Sequence, residues 1–329
     1  MKKIFTIFIL GLAIAVKAQD PLILQPIKKD SIAPAKKDTS WKTSGFFGLN
    51  ISATALNDWQ GGGQNNIAGN AILNLQAVYK KGKVEWLNKL DGQYGILKTD
   101  NSKLFKKNID QLFALSKYNV NAFGKYWFYV AQADYRTQFA PAYTYAGDSI
   151  AGRATSDINC PGYIQLALGL DFKPNKYFSA TIAPLAGKIT LVNRQYLADA
   201  GAFGVEKAVL DTAGNVVTAG KKSRFEFGGR VIIKFKKDIF KNVNLDSYLD
   251  LFSNYANKPG NIDVVFNNLL TIKLNKYLSA NIISQMLYDD EVITVYDWNQ
   301  DGKFDNPNDK NGPRVQLLST FAVGFGYKF

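Results

Sequence analysis

Apolar and polar residues alternate along most of the chain after Trp41. Between Trp127 and Gln138, aromatic and alanine residues occupy every second position, while Gln132, Asp134 and Arg136 stand between them. A period of two is typical of a β-strand whose two faces meet different surroundings. Similar segments recur to the C-terminus, and none has the 3.6-residue period of a long amphipathic helix. The pattern predicts an all-β fold of about twelve strands.

The last stretch, Val315 to Phe329, has the same period and ends on an aromatic residue. One face carries only apolar side chains, whereas small or charged residues occupy the other. Such a strand resembles the closing strand of outer-membrane β-barrels, which the barrel-insertion machinery reads as a signal. We therefore expect two partners, the lipid of the outer membrane and that machinery. The apolar face consists of Phe321, Val323, Phe325, Tyr327 and Phe329.

The connections between the predicted strands mostly alternate in length, as they do in a membrane barrel with short turns at one rim and long loops at the other. The exception is NKPGN, Asn257 to Asn261, which is short where a long loop is expected. The short ones carry lysines, as in KKGK (Lys80 to Lys83) and KPNK (Lys173 to Lys176). Aromatic residues gather near the same ends, which is typical of a membrane-interface girdle. The girdle residues are Tyr79, Trp86, Trp127, Phe172, Phe178, Phe235, Tyr277 and Phe329.

A secreted β-sandwich or a large lipocalin-like barrel could show the same alternation, because it would turn the apolar face inward. The closing strand, the loop asymmetry and the aromatic girdle favour the membrane fold. We predict a transmembrane antiparallel up-and-down β-barrel over residues 41–329. An even strand number agrees with single-chain bacterial barrels.

The first 18 residues have two lysines, a short apolar core and small residues at Val16 and Ala18. This is the pattern of a secretory signal peptide. Residues 19–40 are polar and contain Pro21, Pro26 and Pro34, which predicts a flexible periplasmic leader. Together they predict export to the bacterial outer membrane.

The chain has 40 basic and 27 acidic residues, a formal net charge of +13. Its lysines are spread over many turns instead of forming one patch. An exported protein is also separated from the nucleic acids of the cell, so we expect no nucleic-acid partner. The single cysteine, Cys160, cannot form an internal disulfide and is expected to be a small buried residue. The chain contains no histidine, which excludes histidine-based catalysis.

Charged residues occupy the predicted inner face of several strands. We expect the carboxylates among them to pair with basic neighbours rather than to act in catalysis. The predicted lumen-lining residues are Lys89, Asp91, Asp134, Arg136, Arg224, Glu226, Arg230 and Asp250.

The last long loop contains DWNQDGKFDNPND, from Asp297 to Asp309. Acidic and amide residues two apart, followed by a glycine, bring oxygen atoms to one side of a tight turn, as Ca²⁺ requires. An ordinary polar surface loop has the same composition. The possible Ca²⁺ ligands are Asp297, Asn299, Asp301, Lys303 through its carbonyl, Asp305 and Asp309.

Three stretches carry a family resemblance: Trp59 to Lys98, NIDQLFALSKY (Asn108 to Tyr118) and RTQFAPAYTY (Arg136 to Tyr145). They resemble a family of outer-membrane β-barrel proteins from Bacteroidota that is known only as a domain of unknown function. The resemblance implies the fold and the location, and it supplies no catalytic residues.

A barrel of about twelve strands falls between filled eight-stranded barrels and open sixteen-stranded porins. The first expectation is therefore a non-enzymatic, porin-like barrel that serves as a narrow or gated channel for small polar solutes. The alternative is a closed barrel that acts as a scaffold or accessory subunit for an envelope protein partner. An enzyme comes third.

Overall fold

The computed structural model describes residues 40–54, 65–100, 102–146, 148–275, 278–296 and 310–328. Most of these residues are in strands, and the one α-helix among them, α1, spans Gln195–Asp199, followed by a 3₁₀ turn at Ala202–Gly204. No helix in the described part of the chain combines the length and the apolar character that a membrane crossing needs. The strands, in chain order, are β1 (Trp41–Thr54), β2 (Asn66–Lys81), β3 (Val84–Thr99), β4 (Lys106–Asn121), β5 (Trp127–Thr137), β6 (Ala142–Ala146), β7 (Ser149–Ser156), β8 (Gly162–Phe172), β9 (Phe178–Leu191), β10 (Val209–Leu210), β11 (Val216–Thr218), β12 (Ser223–Phe240), β13 (Val243–Asn254), β14 (Ile262–Lys273), β15 (Leu278–Tyr288), β16 (Ile293–Tyr296), β17 (Lys310–Pro313) and β18 (Gln316–Lys328).

Twelve of these strands form one closed barrel in which each strand pairs antiparallel with the barrel strands that come before and after it along the chain. The ring closes where β1 pairs with β18, from Phe46 opposite Lys328 to Asn50 opposite Gly324. The remaining strands form three separate hairpins, β6 with β7, β10 with β11 and β16 with β17. The predicted all-β, antiparallel up-and-down barrel of about twelve strands is confirmed.

The two faces of the barrel differ as the alternation predicts. Large apolar side chains are exposed on the outer face of nearly every strand, including Tyr129, Leu168, Leu185, Phe225 and Phe325. Polar and charged side chains are buried on the inner face, which is unusual unless they are paired. The buried inward polar residues are Lys117, Asn119, Gln132, Asp134, Asp171, Thr181, Lys188, Thr190, Glu226, Arg230 and Asp250.

One rim of the barrel, here called the short-turn rim, carries the turns after β2, β4, β8, β12 and β14. Aromatic rings meet there, as Trp41 lies 5.2 Å from Tyr79 and 5.7 Å from Trp86 between ring centroids. Trp127 lies 4.8 Å from Phe172. Tyr277 and Phe329, also assigned to this girdle from the sequence, lie outside the described residues.

The opposite end, here called the long-loop rim, carries a small apolar core of its own. Cys160, Val192, Ala198 and Val205 pack together there, with Cys160 and Val192 fully buried. Arg194 donates hydrogen bonds to Asp157 beside this core, which ties the β9–β12 connection to the segment before β8. Cys160 is a free, buried thiol, as predicted.

Strand β9 has one extra residue in its middle. Two residues, Pro184 and Leu185, stand opposite the single Gly229 of β12, and the register with β8 shifts at the same level. A proline inside a central strand is tolerated at such a bulge because it has no N–H to donate. Neighbouring backbones approach closely there, and a Cβ at Gly228 would lie 1.8 Å from the Ser253 carbonyl oxygen.

Candidate functional site

The strand register places all eight predicted lumen residues on the inner face of the barrel. Asp134, Glu226, Arg230 and Asp250 are buried there, and the other four are half-buried. The structure brings them together in part, because they divide among several separate clusters. Glu226 and Arg224 lie near the long-loop rim, Arg230, Asp134 and Asp250 lie at mid-height, and Lys89 and Asp91 pair with each other.

Arg230 of β12 is the centre of the middle cluster. Its Nη1 lies 2.6 Å from Asp134 Oδ1 on β5, and its Nε and Nη2 lie 2.8 and 2.6 Å from the two carboxylate oxygens of Asp250. Tyr248 donates to Asp250 Oδ2 at 2.7 Å, and Gln132 donates to Asp134 Oδ1 at 2.9 Å. Because β8 and β9 separate β5 from β12 in the ring, the contact between Arg230 and Asp134 crosses the lumen and closes part of it.

A second cluster lies nearer the short-turn rim and was not predicted. Lys117 of β4 lies 2.9 Å from Asp171 Oδ2 of β8 and donates to Thr181 Oγ1 of β9 at 2.8 Å. Lys173 lies 3.4 Å from both Asp171 and Glu85. The sequence signal existed, because these residues occupy polar positions in alternating strands, but without the register nothing showed that they meet.

A third cluster, here called the mouth cluster, lies at the long-loop rim around Lys188 of β9, another residue that the sequence reading missed. The Lys188 Nζ lies 2.6 Å from Asp263, 2.8 Å from Asp289 and 3.7 Å from Glu226. Arg224 lies 2.8 Å from Glu226 and 3.9 Å from Glu291. Four carboxylates thus share two cations, which leaves an excess of negative charge at this end of the lumen.

Two members of the mouth cluster lie in the connection after β15. Burial raises the pKa of Glu291 to about 7, and the neighbouring Asp289 adds to the effect while Arg224 opposes it. Burial also works against ionisation of Asp289, but Lys188 outweighs it and holds the pKa of Asp289 below its usual value. The mouth cluster can therefore change its charge near neutral pH at Glu291.

Three carboxylates of the mouth cluster, Glu226, Asp263 and Glu291, have oxygens within 4.8 Å of one another, a spacing compatible with a metal ion. Lys188 and Arg224 already neutralise part of their charge. The possible Ca²⁺ loop from Asp297 to Asp309 lies outside the described residues, so its six predicted ligands remain a prediction.

The remaining predicted residues make local contacts. Lys89 lies 2.5 Å from Asp91, which also accepts a hydrogen bond from Asn74 at 2.8 Å. Arg136 stacks its guanidinium over the Phe113 ring at 5.7 Å, and its Nε is buried without a hydrogen bond among the described residues.

The inner faces of β14, β15, β18, β1 and β2 form a wall of a different kind, here called the uncharged wall. Between the residues at its two rims, its described inward positions carry amides, hydroxyls, aliphatic side chains, glycines and Phe46, and no Asp, Glu, Lys or Arg. These side chains are half-buried or exposed, and inward-facing Leu269 and Leu318 are 38% and 46% exposed. The open part of the lumen therefore runs beside this wall, opposite the charged clusters.

Comparison with known sequences gives one family, described as "Protein of unknown function (DUF3078)", which matches residues 51–143. No curated protein matches the chain.

Several solved structures align with the barrel at low identity. The translocator domain of the autotransporter NalP from Neisseria meningitidis is 10% identical, with 88% of this chain and 89% of that chain covered and a TM-score of 0.37. An outer membrane channel from Pseudomonas putida F1 is 10% identical, with 87% and 94% covered and a TM-score of 0.36. OmpF of Salmonella typhi, in complex with daunomycin, is 8% identical, with 88% and 97% covered and a TM-score of 0.27. The family match is the more specific of the two findings, and over residues 51–143 the chain is similar to a sequence family whose function is unknown.

Proposed function

We propose that this protein is a bacterial outer-membrane β-barrel that acts, without enzymatic activity, as a narrow or gated channel for small polar solutes. The observation that carries the proposal is the division of the lumen. Ion pairs fill one side, whereas half-buried and exposed side chains line the other. A closed ring also leaves no unpaired strand edge, which is a condition for a sheet that crosses a membrane.

The outer surface supports the membrane location. Exposed leucine, isoleucine and aromatic side chains cover the strands on every side of the barrel, among them Leu166, Ile182, Phe227, Ile282 and Phe321. A soluble protein rarely exposes so large a continuous apolar surface. Contact with membrane lipid would shield this apolar surface from water, and the aromatic contacts at the short-turn rim are typical of a membrane interface.

A closed-barrel scaffold for an envelope complex is the second candidate, favoured by Arg230. Its contact to Asp134 of β5 crosses part of the lumen, whereas its contact to Asp250 joins the neighbouring strands β12 and β13. A fully paired cluster of this kind resists opening. We also propose that the closing strand β18 is recognised by the barrel-insertion machinery, and that the Asp297–Asp309 loop binds Ca²⁺. Both rest on the sequence pattern.

The first test is single-channel conductance of the purified, refolded barrel in a planar bilayer, with and without Ca²⁺. Discrete and reproducible steps are the expected result. Replacing the middle cluster by smaller neutral residues (Arg230→Ala, Asp134→Ala and Asp250→Ala together) should raise the step size, because it removes a barrier across the lumen. A matched triple change at the short-turn rim, Lys236→Ala, Asp246→Ala and Lys241→Ala, should leave it unchanged.

Inserted protein that stays silent in both wild type and the widened variant would overturn the channel and favour the scaffold. A Ca²⁺ effect that disappears in Asp301→Asn would support the loop site, and the absence of any Ca²⁺ binding by calorimetry would exclude it.

A further inference from the structure

Two side-chain amides lie opposite each other on the uncharged wall. Asn267 of β14 and Gln285 of β15 are direct partners in the strand register, and both point into the lumen and are half-buried. Neither side chain makes a hydrogen bond with any other described residue. A side-chain amide offers donors and an acceptor, so two neighbouring ones without a partner among the described residues are available to a ligand.

Some inward amides, both on the uncharged wall and on the charged side of the lumen, are bound by the protein itself. Asn74 donates to Asp91, and Gln132 donates to Asp134. Farther along the uncharged wall, by contrast, Asn50 Nδ2 and Asn70 Oδ1 are buried without a hydrogen-bond partner among the described residues. Unused hydrogen-bonding capacity therefore recurs on this wall, although Asn74 and Asn281 are bound by their neighbours.

Aliphatic side chains flank the Asn267–Gln285 pair along its two strands, and Tyr248 of β13 stands opposite Asn267 on the other side. Toward the short-turn rim the next inward pair is Leu269 opposite Ile283, and toward the long-loop rim it is Val265 opposite Leu287. Leu318 of β18 lies beside Gln285. Apolar surroundings with a few convergent polar groups are the usual composition of a small-molecule site.

This arrangement selects against charge. A charged solute that left water at this wall would find no charged side chain on the described inward positions of β14, β15 and β18 between the rims. The nearest charges, Arg230 and Asp250, are already paired with each other, and removing an ion from water without a partner is costly. A neutral solute with a donor and an acceptor would satisfy both amides and cover the exposed leucines.

We propose that Asn267 and Gln285 form a binding site for uncharged solutes that carry an amide flanked by apolar groups. The proposal deepens the proposed channel function, on which it rests, by naming the class of solute. The amide pair supplies the hydrogen bonds, and Leu269, Ile283 and Leu318 contact the apolar parts of the solute.

The test compares two probes of nearly equal size, N-acetyl-leucine amide, which is neutral, and N-acetyl-leucine, whose carboxylate is ionised at pH 7. Binding to the purified full-length barrel in deuterated detergent is followed by NMR titration with saturation transfer from protein to probe. The neutral probe is expected to bind about tenfold more tightly than the anion. It forms a few neutral hydrogen bonds without the cost of removing an ion from water, and the net free energy of such bonds corresponds to about that factor.

The double variant Asn267→Leu, Gln285→Leu should weaken binding of the neutral probe about tenfold, because it removes both amides. Asn267→Gln keeps an amide and should retain binding. Gln76→Leu is the matched control, since it makes the same chemical change at an inward position of β2 on the same wall, and it should have no effect.

Equal binding of the two probes, or equal loss in the double variant and in Gln76→Leu, would overturn the site. The measurement needs no ion conduction, so it separates the two proposals. Specific probe binding by a barrel that is silent in bilayers would keep the site and reject the channel, whereas conduction without discrimination between the probes would do the opposite.

Discussion

At the scale of single residues, Arg230 shows how the charged half of the lumen is stabilised. It is almost completely buried, and its guanidinium is shared by two carboxylates that are themselves buried. Such a pair contributes little net stability compared with apolar residues, but losing one partner leaves an uncompensated buried charge. The three residues therefore depend on one another.

Arg230→Met should lower the free energy of unfolding by about 3–5 kcal/mol, because Asp134 and Asp250 are left without their cation. Adding Asp134→Asn and Asp250→Asn should recover most of this loss. Urea unfolding in lipid vesicles measures both.

The control is Lys236→Met, which breaks a largely exposed pair with Asp246 and should cost less than about 1 kcal/mol. An equal loss of stability in Arg230→Met and Lys236→Met would contradict the argument.

Glu291 should make stability depend on pH near neutrality. Its pKa in the folded chain is raised to about 7 from an ordinary value of 4.5, so the folded state binds this proton more tightly than the unfolded state. The stabilisation is complete below about pH 4.5 and is lost as the pH rises through 7.

Unfolding measured at several values between pH 5 and 8 should therefore show a decline in the wild type that is absent in Glu291→Gln. The chain has no histidine, so few other groups titrate in this range. An unchanged slope in the variant would show that Glu291 does not titrate there. The groups that face Glu291 are Arg224, Asp289, Asp263, Glu226 and Lys188.

At the scale of the elements, the bulge in β9 depends on glycines in the neighbouring strands. A Cβ at Gly228 would overlap the Ser253 carbonyl oxygen, and one at Gly169 would lie 2.1 Å from the Ile182 carbonyl oxygen. A side chain at Gly228 would force β12 and β13 apart at the level of the bulge, and one at Gly169 would force β8 away from β9. The bulge is therefore a sensitive point in an otherwise regular sheet.

Gly228→Ala should destabilise the barrel by roughly 1–3 kcal/mol, the usual cost of overpacking. Gly69→Ala is the control, because a Cβ there meets nothing within 4 Å, and it should be neutral or slightly stabilising. Urea unfolding compares the two variants. Similar values for both would mean that the sheet adapts at the bulge without strain.

At the scale of the whole molecule, we propose that the short-turn rim, where β1 begins after the predicted periplasmic leader, faces the periplasm and that the long-loop rim faces the outside of the cell. The only cysteine, Cys160, is fully buried, so an introduced cysteine should be the only one to react with a membrane-impermeant maleimide. Ala213→Cys, in the exposed tip between β10 and β11, should be labelled in intact cells. Lys241→Cys, in the turn after β12, should be labelled only after the outer membrane is permeabilised.

Labelling of both sites in intact cells would contradict the orientation, and labelling of neither after permeabilisation would contradict the exposure of these connections. Wild-type protein, whose thiol is buried, serves as the background control.

The barrel was largely predictable because alternation is a local property. In Trp127 to Gln138 the direction of each side chain follows from its position alone, so the inner face of β5 was known before its neighbours were. The predicted inward positions of Asp134 and Arg136 rest on the same reasoning. The uncharged wall was not recognised, because it appears only when β14 and β15 are placed beside β18, β1 and β2.

The sequence by itself determined the strands, the two faces of each strand and the ring they form, since these follow from a period of two and from short connections between neighbours. The tertiary structure decided which charges meet. Arg230 reaches Asp134 across 96 positions of the chain, and Lys188 reaches Asp289 across 101. Those contacts depend on strand register and on which strands face each other across the lumen, and neither is encoded in any single segment.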